Sequence, residues 1–159
     1  LTTKDTKKSV EAASMKQLAF ALDDEGNWPP VLVEHLWCVE IDGLFEVRST
    51  PFFVKGLAVG DRFSAEPDPV NGCIFEFSAR VNGGHSLVRI MDSGDVDSSL
   101  YRREIQALGC SLTTWDEYGL SAFDVPVDID IQAINDLVDK IQDAGVPISF
   151  PVWRHAPDE

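Results

Sequence analysis

Positive charge is what this chain has little of. Thirteen Lys and Arg face 27 Asp and Glu over 159 residues, a formal net charge of −14. A surface of that sign repels phosphate backbones and anionic bilayers, so direct binding to nucleic acid or to a membrane surface is disfavoured. Cysteine is scarce as well. Cys38, Cys73 and Cys110 stand far apart, odd in number and without a Cys-x-x-Cys pair. That pattern suits buried free thiols in a reducing compartment and supplies no disulfide framework. No apolar run is long enough to span a bilayer. The signatures with the clearest chemistry are missing too: no Gly-x-x-x-x-Gly-Lys-Ser/Thr, no Gly-x-Gly-x-x-Gly opening a helix, no His-Glu-x-x-His and no Gly-x-Ser-x-Gly. Enzymes assembled from dispersed residues survive that exclusion.

What is present is a core. Hydrophobic residues make up 44% of the chain, enough to exclude wholesale disorder. Residues 1–14 are polar and read as a flexible leader, not a secretory signal. Residues 15–84 read as β-rich. Met15 to Leu22 is a first strand. Val31 to Arg48 is a long hairpin turning at Asp42-Gly43. Thr50 to Gly60, broken by Pro51 and two glycines, is an irregular connection anchored by Phe52 and Phe53. Arg62 to Glu66 is a short strand, and the alternation from Cys73 to Val81 predicts another. These short strands and frequent turns point to a small curled sheet or barrel.

After Asn82-Gly83-Gly84 the period changes. Strands are predicted at Ser86 to Met91, Cys110 to Trp115, Leu120 to Val125 and Val146 to Trp153. One helix, with N-cap oxygens among Asp95 and Asp97 to Ser99, runs to Leu108. A second starts at Asp130 and carries Ile131, Ile134, Leu137, Val138 and Ile141 on one face. The order β-α-β-β-α-β over residues 85–154 is that of a ferredoxin-like half. The chain is thus expected to be α+β, two halves packed as one unit, with 155–159 as a polar tail.

Several segments resemble a bacterial family, domain-of-unknown-function family 4265. They are Trp28-Pro29-Pro30 leading into Val31 to Trp37, Pro51-Phe52-Phe53, Gly56 to Asp61, Ala65-Glu66-Pro67, Gly84-His85-Ser86 and Leu108-Gly109-Cys110. Their order and spacing carry the likeness, which extends from about Lys16 to Phe150. It implies a compact bacterial cytoplasmic protein and brings no catalytic residues with it.

Candidate sites follow from residue chemistry. His85, on a Gly-Gly turn before a strand, could act as a general base with Ser86 or Cys73 nearby. The structural alternative, which outweighs it, is a ring bonded to a backbone carbonyl at the junction of the halves. A zinc site would need close ligand pairs, and His35 and Cys38, three apart on a strand, face opposite sides. The run Asp92-x-x-Asp95-x-Asp97 lacks the glycine and distal glutamate of a calcium loop. No metal, cofactor or catalytic residue is therefore assigned.

The acids are heavier in the second half: residues 86–159 hold 14 acids and 5 bases, residues 1–85 hold 13 and 8. Asp136, Asp139 and Asp143 fall at i, i+3 and i+7 on the second helix, a like-charge stripe with Lys140 its sole base, and Asp128 precedes it. Most of the aromatics belong in the core, but Trp28 or Trp115, at turns, could anchor a contact. The expected function is an acidic cytoplasmic binding protein, foremost an immunity-type inhibitor. It would present Asp128, Asp136, Asp139, Asp143 and Trp115 to a basic protein partner, such as a toxin that acts on nucleic acid or nucleotides. A small-molecule-binding regulatory module is the alternative, and a small enzyme using His85 the second.

Overall fold

A computed structural model describes residues 15–155 apart from 24, 25, 27, 93–95 and 97. The leader expected over 1–14, the Asp95 and Asp97 oxygens and residues 156–159 lie outside the described residues.

The first half is one six-stranded sheet. β1 (Met15–Ala21), β2 (Val33–Ile41), β3 (Leu44–Val47) and β4 (Arg62–Ala65) follow one another as an antiparallel meander. The β2–β3 turn places Asp42 at φ 52° and Gly43 at φ 80°, the positive pair that a tight hairpin demands. The stretch read as a single strand from Cys73 to Val81 is in fact two. β5 (Cys73–Ile74) pairs parallel with β1, and β6 (Phe77–Val81) pairs antiparallel with β4. The sheet order is β5-β1-β2-β3-β4-β6, so Phe75 and Glu76 link its two opposite edges. A link that short requires the sheet to be strongly rolled. β5 and β6 are not hydrogen-bonded neighbours, so the sheet is curled and open and the barrel alternative falls. Inside the roll, Phe20, Leu36, Cys38, Val47, Phe63 and Ile74 pack with Val54 and Leu57 from the irregular connection.

The second half is a four-stranded antiparallel sheet. Its strands are β7 (Ser86–Met91), β8 (Ser111–Trp115), β9 (Leu120–Val125) and β10 (Ile148–Val152), in the order β10-β7-β9-β8. Helix α1 (Arg102–Ala107) connects β7 to β8, and α2 (Ile131–Asp143) connects β9 to β10. Asp130 caps α2 by accepting the N–H groups of Gln132 and Ala133. The first helix is shorter than its pattern suggested. Ser98–Tyr101 winds as a 3₁₀ turn before α1, and the oxygen that holds it is that of Asp92, which accepts both the N–H and the hydroxyl of Ser98.

The alternation along β7 and β9 makes this sheet the middle of three layers. Val88, Ile90, Phe123 and Val125 face the helices, against Ile105, Ile134, Val138 and Ile141. Leu87, Leu120 and Ala122 face the other way and pack with Phe52, Phe53 and Ala58 of the first half. The irregular connection is therefore the mortar between the halves. Both sheets together form a mixed α+β, strand-rich molecule with few helices. No helix among the described residues is long and apolar enough to cross a membrane.

Candidate functional site

Glu34 shares the inward face of β2 with Leu36 and Cys38 and is 7% exposed. Its Oε2 accepts the backbone N–H of Phe52 at 2.7 Å, and its Oε1 those of Phe53 at 3.0 Å and Val54 at 2.9 Å. Three main-chain donors outside any strand ladder are thus satisfied by one carboxylate. The loop they belong to is held rigid, and the Phe52 and Phe53 rings are presented from it side by side, 6.1 Å between centroids.

That loop forms one wall of a cleft of about 610 Å³ between the two sheets. Phe20, Ile74 and Phe77 line it from the six-stranded sheet. Arg89 of β7 and Ser149, Phe150 and Pro151 of β10 line it from the four-stranded sheet. Trp28 and Pro29 close one side, with Trp28 edge-on to Phe53 at 5.5 Å. Phe75 and Phe150, 62% and 39% exposed, stand among the lining residues. Size, apolar lining and position between two packed units are those of a small-molecule site.

Arg89 is the half-buried charged group in this setting. Its Nη1 donates to the Phe52 carbonyl at 2.7 Å, and its guanidinium carbon lies 5.7 Å from the Phe53 ring centroid and 5.9 Å from that of Trp28. Burial pushes its pKa down, opposed by the field of Glu34. Lys55 and Asp23 lie among the other lining residues, and both are exposed.

A second polar cluster ties the halves together at the other end of β7. Asp61, 1% exposed, accepts the Ala58 N–H at 3.0 Å and the Gly83 N–H at 2.9 Å. Arg154 grips the same carboxylate through Nη1 at 2.5 Å and Nη2 at 2.8 Å. Burial alone would raise the Asp61 pKa; Arg154 and the two N–H donors outweigh it and hold the group below its ordinary value. Gly83 is obligatory here, because a Cβ would lie 2.5 Å from the Gly60 carbonyl carbon.

His85 bonds a carboxylate, not the backbone carbonyl expected of it. Its Nδ1 lies 2.9 and 3.0 Å from the two oxygens of Asp124, a buried residue of β9. Burial is the main reason the Asp124 pKa is raised, and the His85 bond offsets part of the rise. Ser86 does not serve His85. Its Oγ accepts the Arg154 N–H at 2.7 Å and lies 2.6 Å from His155 Nδ1, while His155 Nε2 donates to the Pro126 carbonyl at 2.8 Å. Ser86 is thereby engaged by Arg154 and His155, in a fully buried position. His155 is tied into this cluster rather than free in solvent.

A family model described as a domain of unknown function (DUF4265) matches residues 34–147. The chain belongs to the DUF4265 family. Glu34, the Phe52 to Val54 loop, Asp61, His85, Arg89 and Asp124 all fall within the matched span; Trp28, Phe150 and Arg154 fall outside it. A solved structure titled as a novel crystal structure of a hypothetical protein from Neisseria gonorrhoeae is similar in fold, with a TM-score of 0.65 at 11% identity. The match covers 89% of this chain and 98% of that one. No curated protein matches the chain.

Asp128, Asp136, Asp139 and Asp143 are exposed on and before α2. Asp136 accepts from Gln132 Nε2 at 2.9 Å, and Lys140 turns away from the stripe to pair with Glu104 of α1 at 2.8 Å. Trp115 is not with them. It packs among Phe52, Phe53 and Tyr118 on the sheet face opposite the helices, with centroids 5.7, 6.0 and 4.9 Å away. Cys38, Cys73 and Cys110 are free; Cys38 and Cys110 are buried and their thiol pKa values are pushed up to about 12, whereas Cys73 is only half-buried. Among the described residues no three His, Cys, Asp or Glu side chains group as a metal site requires.

Pattern reading singled out Trp28, Phe52 and Phe53 but not the cleft they line. Arg89 of the cleft and Asp124 of the second cluster are each a lone charge in an apolar strand, and that is the signal that marks them.

Proposed function

We propose that the chain is a small-molecule-binding module whose site is the cleft between the two sheets. The observation that carries this reading is the preformed aromatic wall: Glu34 fixes the Phe52 to Val54 loop before any ligand arrives, so little ordering cost remains for binding. The second half is read as ferredoxin-like. Its β10-β7-β9-β8 antiparallel order, with a helix in each of two connections, supports that plan. The test is to soak crystals of the chain in a panel of small aromatic fragments. Density lying between Phe53 and Phe150 supports the reading; binding only elsewhere contradicts it.

One observation favours a second reading, that of a cytoplasmic immunity-type inhibitor of a basic partner. The exposed Asp136, Asp139 and Asp143 stripe keeps its charge because Lys140 is drawn to Glu104. Replacing all three with Asn should slow association with such a partner and flatten its salt dependence. Equal rates and salt slopes would leave the stripe as ordinary solvated surface.

A further inference from the structure

The cleft's ligand class follows from an imbalance of charge. Acids outnumber bases two to one in this chain, and the half-buried cations Arg62, Arg102 and Arg154 each pair with a carboxylate. Arg89 does not. Among the described residues no carboxylate lies within ion-pair distance of it, although the side chain is half-buried. Glu34 is near enough for its field to act, but both its oxygens are committed to the loop N–H groups. Only one guanidinium hydrogen bond is used, that to the Phe52 carbonyl, and a guanidinium carries five N–H donors.

The remaining donors belong to a group that lines the cleft. Trp28 and Phe53 pack close to the guanidinium and hold it in place, which preserves its planar fork for a planar acceptor. Beyond it the surfaces are ring faces and edges, those of Phe53, Phe75, Phe77 and Phe150, which favour an aromatic body over a flexible chain. At the exposed margin of the lining stand one further cation, Lys55, and one acid, Asp23, so Arg89 is the charged group set within the cleft.

We propose that the cleft takes a small aromatic carboxylate, its carboxylate on Arg89 and its ring among the phenylalanines. This rests on the reading of the cleft as a ligand site and adds the chemistry of what it selects.

The experiment compares three probes on the full chain by calorimetry: 2-naphthoate, its neutral counterpart 2-naphthalenemethanol, and octanoate. The expected result is that 2-naphthoate binds at least about ten-fold more tightly than either of the others, the margin of a charge-assisted pair in a desolvated site. Arg89→Gln should erase the preference, so that the acid and the alcohol bind the variant within about two-fold of each other. Should Arg89→Gln fail to fold, Arg89→Lys and the three wild-type affinities decide. Equal binding of naphthoate and the alcohol overturns anion recognition while leaving the cleft a ligand site. Tighter binding of octanoate overturns the aromatic class. Binding of none of the three overturns the cleft reading and this inference with it.

Discussion

Glu34 precedes Phe52 by eighteen residues, yet its carboxylate accepts the Phe52 N–H at 2.7 Å and the next two N–H groups besides. One side chain near the start of β2 therefore shapes the loop that joins the two halves and walls the cleft.

Replacing Glu34 with Ala should cost the chain about 3 kcal/mol or more, because three buried donors lose their acceptor together. Glu34→Gln keeps one oxygen and should cost less. Urea unfolding of both variants checks the order. A loss below 1 kcal/mol for Glu34→Ala would mean that water replaces the carboxylate and that the loop is not anchored as described.

His85→Ala should destabilise the fold by about 1.5–3 kcal/mol at neutral pH, the worth of a hydrogen bond to a charged and buried partner. The loss comes from Asp124, left with a desolvated carboxylate. Adding Asp124→Asn removes that stranded charge, so the double variant should be more stable than His85→Ala alone. Additive losses would show that the pair is not coupled. An unchanged melting curve with loss of a measured turnover would instead make His85 catalytic.

Two of the buried carboxylates, Asp61 and Asp124, give opposite slopes with pH. Asp61 is held below its ordinary value of 3.8, so the folded state favours its ionised form. Its contribution is complete above that value and is lost as pH falls through its lower folded value. Asp124 is raised above 3.8, so its ionisation costs stability as pH rises through its folded value. Asp61→Asn should therefore flatten the acid limb of stability, measured by urea melts between about pH 5 and pH 2. An unchanged acid limb would mean that Arg154 does not stabilise the ionised Asp61.

What pattern reading could and could not see is clear from single residues. The Asp42-Gly43 turn, the Asp130 cap and the Ile134, Leu137, Val138 and Ile141 face were all legible, because each is decided within a few neighbouring residues. The Cys73 to Val81 stretch was not. Alternation reports which side a residue faces, but not that the chain leaves one sheet edge at Ile74 and joins the other at Phe77. The cleft was hidden for the same reason. Phe53, Arg89 and Phe150 meet only after both sheets have formed and packed, and a strand with one charge in it, such as that of Arg89, does not name its partner.

The cleft itself is tested most directly by amide chemical shifts of the isotope-labelled full chain during titration with 2-naphthoate. If the cleft is the site, the N–H signals of Phe52, Phe53 and Val54, all bound to Glu34, move together and saturate along with those of Arg89 and Phe150. Shifts that fail to saturate, or that gather on α2 while the Phe52 to Val54 amides stay still, would contradict the account.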